Sequence, residues 1–286
     1  MPKHPFPSAG RGPQPSRAAQ LLERAELALR MGQLAEAEQL AGEVLRASRT
    51  DTAAASLLAR ALLAQNRAAE AIAPLERAAR RGSDAGIETL LGAALGGAGR
   101  HAEAIEQLRQ AIARRPPFLP AFKELAGQLG AAGHVEEAIA VLKSALALAP
   151  ASLDLELDLA WMHLLRNERE PAREILSRAS RAAPGRPEIL AALARILLFD
   201  GDYAAAADIY RQVLRLLPDD AMTRADLATC LLEMGQREAG EAELRKAMRS
   251  SPQMLGRTTS ALSNSSHGRF FLRPSAVARF LQQDKA

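Results

Sequence analysis

The strongest constraint on the fold is a pattern that recurs along the chain with a nearly constant period. The segment GHVEEAIAVLKSALALAP, from Gly133 to Pro150, opens on glycine, closes on proline and has related segments on both sides. The seven related segments open at Gly32, Asn66, Gly99, Gly133, Asn167, Gly201 and Gly235. The spacings between these residues are 34, 33, 34, 34, 34 and 34 residues. Such a regular period indicates one supersecondary unit stacked many times.

Each unit has the pattern of a helical hairpin. Before Gly133 the apolar residues fall at i, i+3, i+4 and i+7, and after it at i, i+4, i+7 and i+8, which is the spacing of one helix face. Gly133 supplies the left-handed residue that helix ends favour, and Pro150 ends the second helix. Only 3% of the residues are aromatic, whereas the helix formers Ala, Leu, Arg and Glu are abundant. The predicted fold class is therefore all-α, an α-solenoid of stacked antiparallel helix hairpins.

Two positions of the unit are small in every copy. Seven residues before each opening residue lie Ala25, Ala59, Gly92, Ala126, Ala160, Ala194 and Ala228. Five residues after it lie Ala37, Ala71, Ala104, Ala138, Ala172, Ala206 and Gly240. Small side chains at these two positions let neighbouring helices approach closely, and a leucine there would wedge the helices apart.

The 34-residue period, the two small columns, the glycine at the hairpin turn and the proline that closes five units resemble the tetratricopeptide repeat family. The chain is similar to a bacterial-type member with about seven repeats, over residues 18–254. The resemblance implies a right-handed superhelix whose first helices line a concave groove, and members of the family are mostly binding scaffolds.

The predicted domain organisation has three parts. Residues 1–17 are rich in Pro, Gly and Ser, carry three basic residues and are expected to be a disordered tail. The seven units are 18–51, 52–84, 85–118, 119–152, 153–186, 187–220 and 221–254. Residues 255–286 break the repeat and are expected to hold one short capping helix at about 275–283.

The groove implied by the resemblance has nine candidate partner-binding residues. They are Lys123, Gly127, Leu157, Trp161, Leu164, Leu165, Arg195, Leu198 and Phe199. The expected partner is a protein or peptide segment with apolar side chains, extended or helical. Two alternatives stay open, because these apolar residues could instead pack against adjacent units or against a second copy.

Two further features of the groove follow from the resemblance. Lys123 matches one lysine position of the clamp with which some members hold a partner's C-terminal carboxylate, but Gly127 replaces the asparagine, so that clamp is not expected. The glycines of the first helices in the third and fourth units, among them Gly96 and Gly97, cost helix stability. Close approach of a partner is a candidate reason for them.

No catalytic constellation can be assembled from the sequence, so we expect neither enzymatic activity nor a small-molecule substrate. The five histidines lack Cys or carboxylate companions at ligand spacing, so no metal is expected. The Gly-rich stretch 96–101 has neither the strand nor the Lys-Ser/Thr of a phosphate loop, and no cofactor is expected. The single cysteine, Cys230, excludes an intramolecular disulfide framework.

Charge and hydropathy favour a cytoplasmic protein. The net charge is +4, but residues 1–17 contribute +3 and residues 255–286 contribute +4, so the array between them is net negative. An acidic array argues against nucleic acid as a partner along the repeats. No apolar run approaches 18 residues, and the first twenty residues lack the apolar segment of a secretory signal. The oligomeric state is not determined by the sequence.

The aromatic C-terminal tail allows three interpretations. Phe270 and Phe271 precede the predicted short helix, and this tail holds three of the seven phenylalanines. It could cap the open apolar edge of the last unit, fill the groove or dock a partner.

The predicted function is a non-catalytic protein–protein interaction scaffold or adaptor that binds a partner segment in the concave groove. The alternative is an accessory or regulatory subunit of an enzyme complex, for example a glycosyl- or sulfotransferase system. A third hypothesis, nucleic-acid binding through the basic tails, is disfavoured by the acidic array.

Overall fold

A computed structural model describes residues 16–82, 84–271 and 273–282, and the regular structure of these residues is helical throughout. Its helices are α1 (Arg17–Arg30), α2 (Leu34–Ala47), α3 (Thr52–Ala64), α4 (Ala68–Ala79), α5 (Ala85–Gly97), α6 (His101–Ala113), α7 (Leu119–Ala131), α8 (Val135–Leu148), α9 (Leu153–Leu165), α10 (Arg169–Ala182), α11 (Pro187–Phe199), α12 (Tyr203–Leu216), α13 (Ala221–Glu233), α14 (Arg237–Ser250), α15 (Leu255–Asn264) and α16 (Pro274–Gln282). A short 3₁₀-helix, Pro252–Met254, precedes α15. Most of the segment predicted to be disordered, residues 1–15, lies outside the described residues, and Ser16 caps α1.

The chain divides into two compact units, with the boundary after Ala147. In the first unit each helix from α1 to α7 packs on the next, and the first helices α1, α3, α5 and α7 also pack side by side. In the second unit α9 to α14 pack in the same sequential way, and α15 and α16 pack on α13 and α14. The predicted fold class, an all-α solenoid of helical hairpins, is confirmed. Among the described residues, no helix is both long and apolar enough to cross a lipid bilayer.

The hairpin turns are set by the seven residues that open the repeated segments. All five glycines and both asparagines adopt a left-handed backbone, with φ between 59° and 82°. The residue after each of them donates its N–H to a carbonyl five residues earlier, as Gln33 does to Ala28 at 2.8 Å and His134 to Leu129 at 2.8 Å. This bond is the Schellman closure, which satisfies a carbonyl that the helix end leaves open. Glycine and asparagine recur here because few other residues tolerate this conformation.

The two small columns lie where helices touch. Their alanines are at most 1% exposed. A Cβ added to Gly92 would come within 2.4 Å of Leu108 Cγ, so the side chain of Leu108 occupies the space that glycine leaves. A Cβ added to Gly240 would lie 2.8 Å from Leu232 Cγ. The columns are therefore small because large side chains of neighbouring helices fill the volume beside them.

The C-terminal tail holds two helices, where the sequence predicted one at about 275–283. The additional helix, α15, is rich in Ser and Thr; the hydroxyls of Thr258, Thr259 and Ser263 donate to carbonyls of the preceding turn. Because these Ser and Thr hydroxyls bond to the helix backbone and no regular apolar stripe runs along the helix, the sequence pattern did not predict it. Leu262 is nevertheless fully buried in a core cluster with residues of α13, α14 and α16.

The aromatic residues of the tail show how it closes the last hairpin. The rings of Phe271 and Phe280 lie 5.2 Å apart and pack against that same cluster, while Phe270 remains exposed. The guanidinium groups of Arg245 and Arg269 lie 4.6 and 5.2 Å from the centre of the Phe280 ring. We call α15 and α16, which pack on α13 and α14 of the last hairpin, the cap; which of the three interpretations of the tail holds stays a prediction.

Candidate partner-binding surface

Arginines of the second unit link α9 and α10 to the next first helix, α11. At the N-terminal ends of α9 and α11, Arg186 Nη1 lies 2.9 Å from Asp154 Oδ1. At the C-terminal end of α11, Arg169 Nη1 of the second helix α10 donates to the carbonyl of Phe199 at 3.0 Å and lies 3.4 Å from Asp200 Oδ1. The first bond links α9 to the start of α11, and the second links α10 to its end.

Large apolar side chains on these helices remain exposed. We define the first-helix surface as the seven candidate residues of the second unit, Leu157, Trp161, Leu164, Leu165, Arg195, Leu198 and Phe199. Trp161 is 49% exposed, Leu165 50% and Phe199 57%, while the other members are partly buried. On α9, Leu157, Trp161 and Leu165 follow one another at intervals of four residues and so share one helix face. An apolar patch of this kind on an otherwise polar surface marks an interaction site more often than a packing defect.

A polar cavity adjoins the α11 side of the first-helix surface. It has a volume of about 270 Å³ and is lined by Arg195, Leu198 and Phe199 together with residues of α13 and α15. The buried carboxylate of Asp226 lies in its wall. Asp226 Oδ2 accepts from Tyr210 Oη at 3.4 Å and from Arg195 Nη2 at 3.5 Å, and Oδ1 accepts from Arg257. The cavity therefore lies between α15 and the α11 side of the first-helix surface.

Two buried groups beside Asp226 have raised pKa values. Burial, assisted by the negative charge of Asp226, raises the pKa of the Tyr210 phenol far above its ordinary value. The phenol therefore stays protonated and donates to the carboxylate. Burial and Asp226 also raise the pKa of the Cys230 thiol to about 12. A thiol with that pKa is not an activated nucleophile, because only the thiolate is reactive.

The sequence alone does not reveal this ionic cluster. Asp226 is 16 residues from Tyr210 and 31 from both Arg195 and Arg257, so no local motif joins them. One signal was available, since Tyr210 occupies a column that is leucine in the other second helices from Leu75 to Leu244. A buried phenol needs a hydrogen-bond partner, and that requirement points to a polar group at this depth.

The two remaining candidate residues, Lys123 and Gly127, lie on α7 in the first unit. Both are exposed, and a Cβ added to Gly127 would meet no atom within 4 Å. The open space at Gly127 is compatible with an approaching partner. Their participation in partner binding stays a prediction.

The expectation that Gly96 and Gly97 admit a partner is wrong, because the chain itself fills the space. A Cβ on Gly96 would lie 2.2 Å from the side-chain amide of Gln128, and one on Gly97 would lie 2.8 Å from the Cβ of Ala68. Gln128 is held there by His101 Nδ1, 3.0 Å from its Oε1, and by Glu124, which accepts from its Nε2 at 2.9 Å. These glycines serve helix packing within the first unit.

Two histidines of the second unit engage groups of the chain itself. His163 Nδ1 lies 2.7 Å from Glu168 Oε2, and His267 Nδ1 lies 3.1 Å from the carbonyl of Leu232. Within the described residues, no cluster of three or more His, Cys, Asp or Glu side chains could hold a metal ion. The chemistry available at the first-helix surface is thus apolar contact, flanked by guanidinium groups and the polar cavity.

Family sequence models match most of the repeated region. A model described as tetratricopeptide repeat matches residues 129–196 and 197–254, and a second model with the same description matches residues 89–152. A model of the anaphase-promoting complex, cyclosome, subunit 3 matches residues 30–111. No curated protein sequence matches the chain significantly.

Solved structures with similar folds come from different organisms. A thermophilic TPR protein of Thermus thermophilus, TTC0263, is 27% identical; the match covers 62% of this chain and 97% of that chain, with a TM-score of 0.53. PilF of Pseudomonas aeruginosa is 19% identical over 77% of this chain and 99% of its own, with a TM-score of 0.61. The human IFIT1 dimer with PPP-AAAA is 16% identical over 87% of this chain and 64% of its own, with a TM-score of 0.64. At the last two identities the likeness concerns the fold alone.

Proposed function

The chain belongs to the tetratricopeptide repeat family, and on that premise we propose that it is a non-catalytic scaffold or adaptor that binds a segment of a partner protein. The proposed site is the first-helix surface. One observation carries the proposal: three large apolar side chains, Trp161, Leu165 and Phe199, are about half exposed on two first helices, α9 and α11, which the Arg186–Asp154 pair links.

The chemistry of the site favours an apolar segment with acidic neighbours. Burying a tryptophan and a phenylalanine against a partner supplies most of the binding free energy of a typical small interface. Arg195 supports a polar contact next to the apolar ones, because its side chain is 33% exposed and lines the polar cavity. A carboxylate or carbonyl of the partner at the mouth of the cavity would complement the guanidinium.

The test compares two double variants with the wild type in co-purification from a lysate of the source organism. Trp161→Ala/Phe199→Ala removes the two aromatic side chains of the first-helix surface. Leu216→Ala/Leu217→Ala is the matched control, because these leucines are 47% and 45% exposed but lie at the end of the second helix α12. Circular dichroism must show equal helix content in all three proteins.

We expect the partner to be lost only with the aromatic variant. Loss of two aromatic anchors weakens binding by roughly 30-fold or more, which calorimetry with the identified segment would measure. Equal retention by both variants would exclude this surface as the site. A stable co-purifying enzyme would instead favour an accessory subunit, and concentration-dependent dimerisation abolished by the aromatic variant would make a second copy the occupant.

A further inference from the structure

A second surface of the second unit carries a charge that the repeat does not require. We define the second-helix cleft as the cleft between α12 and α14, with a volume of about 620 Å³. Its floor contains Leu227 and Leu231 of α13, which are almost fully buried, and Leu214 of α12 lies at its side. Four cationic side chains line the cleft: Arg211, Arg215, Arg224 and Lys246. A single carboxylate, Glu243, lies among them.

The single carboxylate cannot neutralise this cluster. Glu243 accepts from Arg224 Nη1 at 2.9 Å through Oε2 and from Lys246 Nζ at 2.7 Å through Oε1, so it is shared by two cations. Arg211 pairs with Asp208 on its own helix at 2.8 Å. Arg215 has no ion-pair partner among the described residues. The cleft therefore presents a surplus of positive charge over an apolar floor.

The equivalent cleft of the first unit has the opposite balance of charge, with more carboxylates than cations. It lies between α4 and α6, has a volume of about 410 Å³ and has Leu91 and Leu95 where the second-helix cleft has Leu227 and Leu231. Its charged residues are Glu76, Arg80, Arg100, Glu103 and Glu106. In register, Glu76 corresponds to Arg211, whereas Arg80 corresponds to Arg215.

The fold requires the apolar floor of the cleft but not its positive charge. The apolar floor recurs because hairpin stacking requires it, but hairpins of the same architecture stack with either sign of charge around the cleft. Folding therefore does not explain the concentration of cations in the second-helix cleft. Among the four cations, Arg224 has bonds that the fold itself uses, since it donates to Glu243 of α14 and to the carbonyl of Pro218.

We propose that the second-helix cleft is a docking site for an acidic amphipathic segment of a partner protein. Leucine-like side chains of the segment would contact Leu214, Leu227 and Leu231 between the two helices, as an amphipathic helix lies in a groove. Carboxylates on either side of that stripe would pair with Arg211, Arg215 and Lys246 at the rim. Electrostatic complementarity of this kind mainly accelerates association and selects the partner.

The observations favour a protein segment over a nucleic acid. None of the described residues that line the cleft is aromatic, so the cleft offers no ring on which a base could stack, and single-stranded nucleic acids bind largely through such stacking. The leucine floor offers apolar contact that a phosphate backbone cannot use. With the first-helix surface on α9 and α11, this site would give the second unit two separate docking surfaces, as an adaptor that joins two partners requires.

The test is fluorescence polarisation with a labelled helical peptide of about 15 residues that carries leucines at i, i+3, i+4 and i+7 and glutamates elsewhere. Companion probes are the same peptide with serines replacing the leucines, a single-stranded oligonucleotide and vesicles containing an anionic lipid. The variants are Arg215→Glu and its counterpart in the first unit, Arg80→Glu, both at exposed positions. The Trp161→Ala/Phe199→Ala protein is included to separate the two surfaces.

We expect the glutamate–leucine peptide to bind the wild type and Arg80→Glu equally, and Arg215→Glu about tenfold more weakly, because one favourable contact becomes a repulsive one. The serine peptide should bind at least about tenfold more weakly, since it lacks the apolar contacts. The aromatic variant should bind the acidic peptide like the wild type.

Several results would overturn the proposal. Failure of the wild type to bind the peptide, or equal weakening by Arg215→Glu and Arg80→Glu, would mean that the cleft is not a specific site. Equal binding of the serine peptide would remove the role of the apolar floor. Tighter binding of the oligonucleotide or the vesicles, lost with Arg215→Glu, would assign the cleft to nucleic acid or to a membrane surface.

Discussion

The ionic cluster around Asp226 gives a quantitative test of how the cap is attached to the last hairpin. Asp226→Asn removes the negative charge but keeps the size of the side chain. The carboxylate binds Tyr210 and two guanidinium groups, one from α11 and one from α15. The variant therefore leaves Arg195 and Arg257 facing each other without the charge between them.

The magnitude follows from the exposure of the two arginines. Hydrogen bonds to a charged group contribute about 1.5–3 kcal/mol each when fully buried. The side chains of Arg195 and Arg257 are 33% and 44% exposed, so water screens both pairs. A contribution of about 1 kcal/mol per ion pair is therefore reasonable, and asparagine can still accept from Tyr210. We expect the Asp226→Asn protein to lose about 2 kcal/mol of unfolding free energy, which corresponds to a decrease in Tm of about 4–8 °C for a unit of this size.

The assay is urea unfolding followed by circular dichroism, together with hydrogen exchange of α13 and α15. Glu156→Gln is the matched control, since Glu156 is also a buried carboxylate of the second unit but pairs with Arg178, whose side chain is 60% exposed. The Glu156→Gln protein should lose less than about 1 kcal/mol of unfolding free energy. If Asp226→Asn destabilises no more than Glu156→Gln, or if exchange in α15 does not increase, the cluster does not hold the cap.

Three further predictions concern single positions. Cys230 should resist thiol reagents until the protein unfolds. The pKa of Cys230 in the folded state, about 12, lies above the ordinary value of 9.0, so the folded protein keeps the thiol proton to higher pH than the unfolded chain does. The free energy of unfolding should therefore fall as pH rises from 9 toward 12. The slope of this decrease should be smaller in Cys230→Ala. Gly92→Ala should destabilise by about 1–3 kcal/mol in thermal unfolding, because its Cβ would overlap Leu108, whereas Gly127→Ala should be neutral or stabilise by up to about 1 kcal/mol. Glu241→Gln should increase proteolysis of the C-terminal helix α16, because the buried Glu241 carboxylate accepts from Arg245 and Arg269, which lie beside the Phe280 ring. Unchanged proteolysis would contradict this role of Glu241.

The hairpins were predictable because their determinants are local in the sequence. A left-handed Gly or Asn at each turn, as at Gly133 and Asn167, ends one helix regardless of what packs on it. Periodic apolar residues and the small columns then fix which helix faces meet. The helix α15 escaped prediction because its Ser and Thr hydroxyls bond to its own backbone and break the apolar pattern.

The sequence by itself determined the repeated helical hairpins, their turns and the close contacts between helices, since each depends on residues within one period. Only the tertiary structure decided which side chains meet across hairpins. It brought Asp226 to Arg195 and Arg257, filled the space beside Gly96 with Gln128 and gathered cations from α12, α13 and α14 into one cleft. The physical reason is that stacking places residues 16 to 35 positions apart within contact distance, and no local spacing specifies whether such a pair attracts, repels or leaves an opening for a partner.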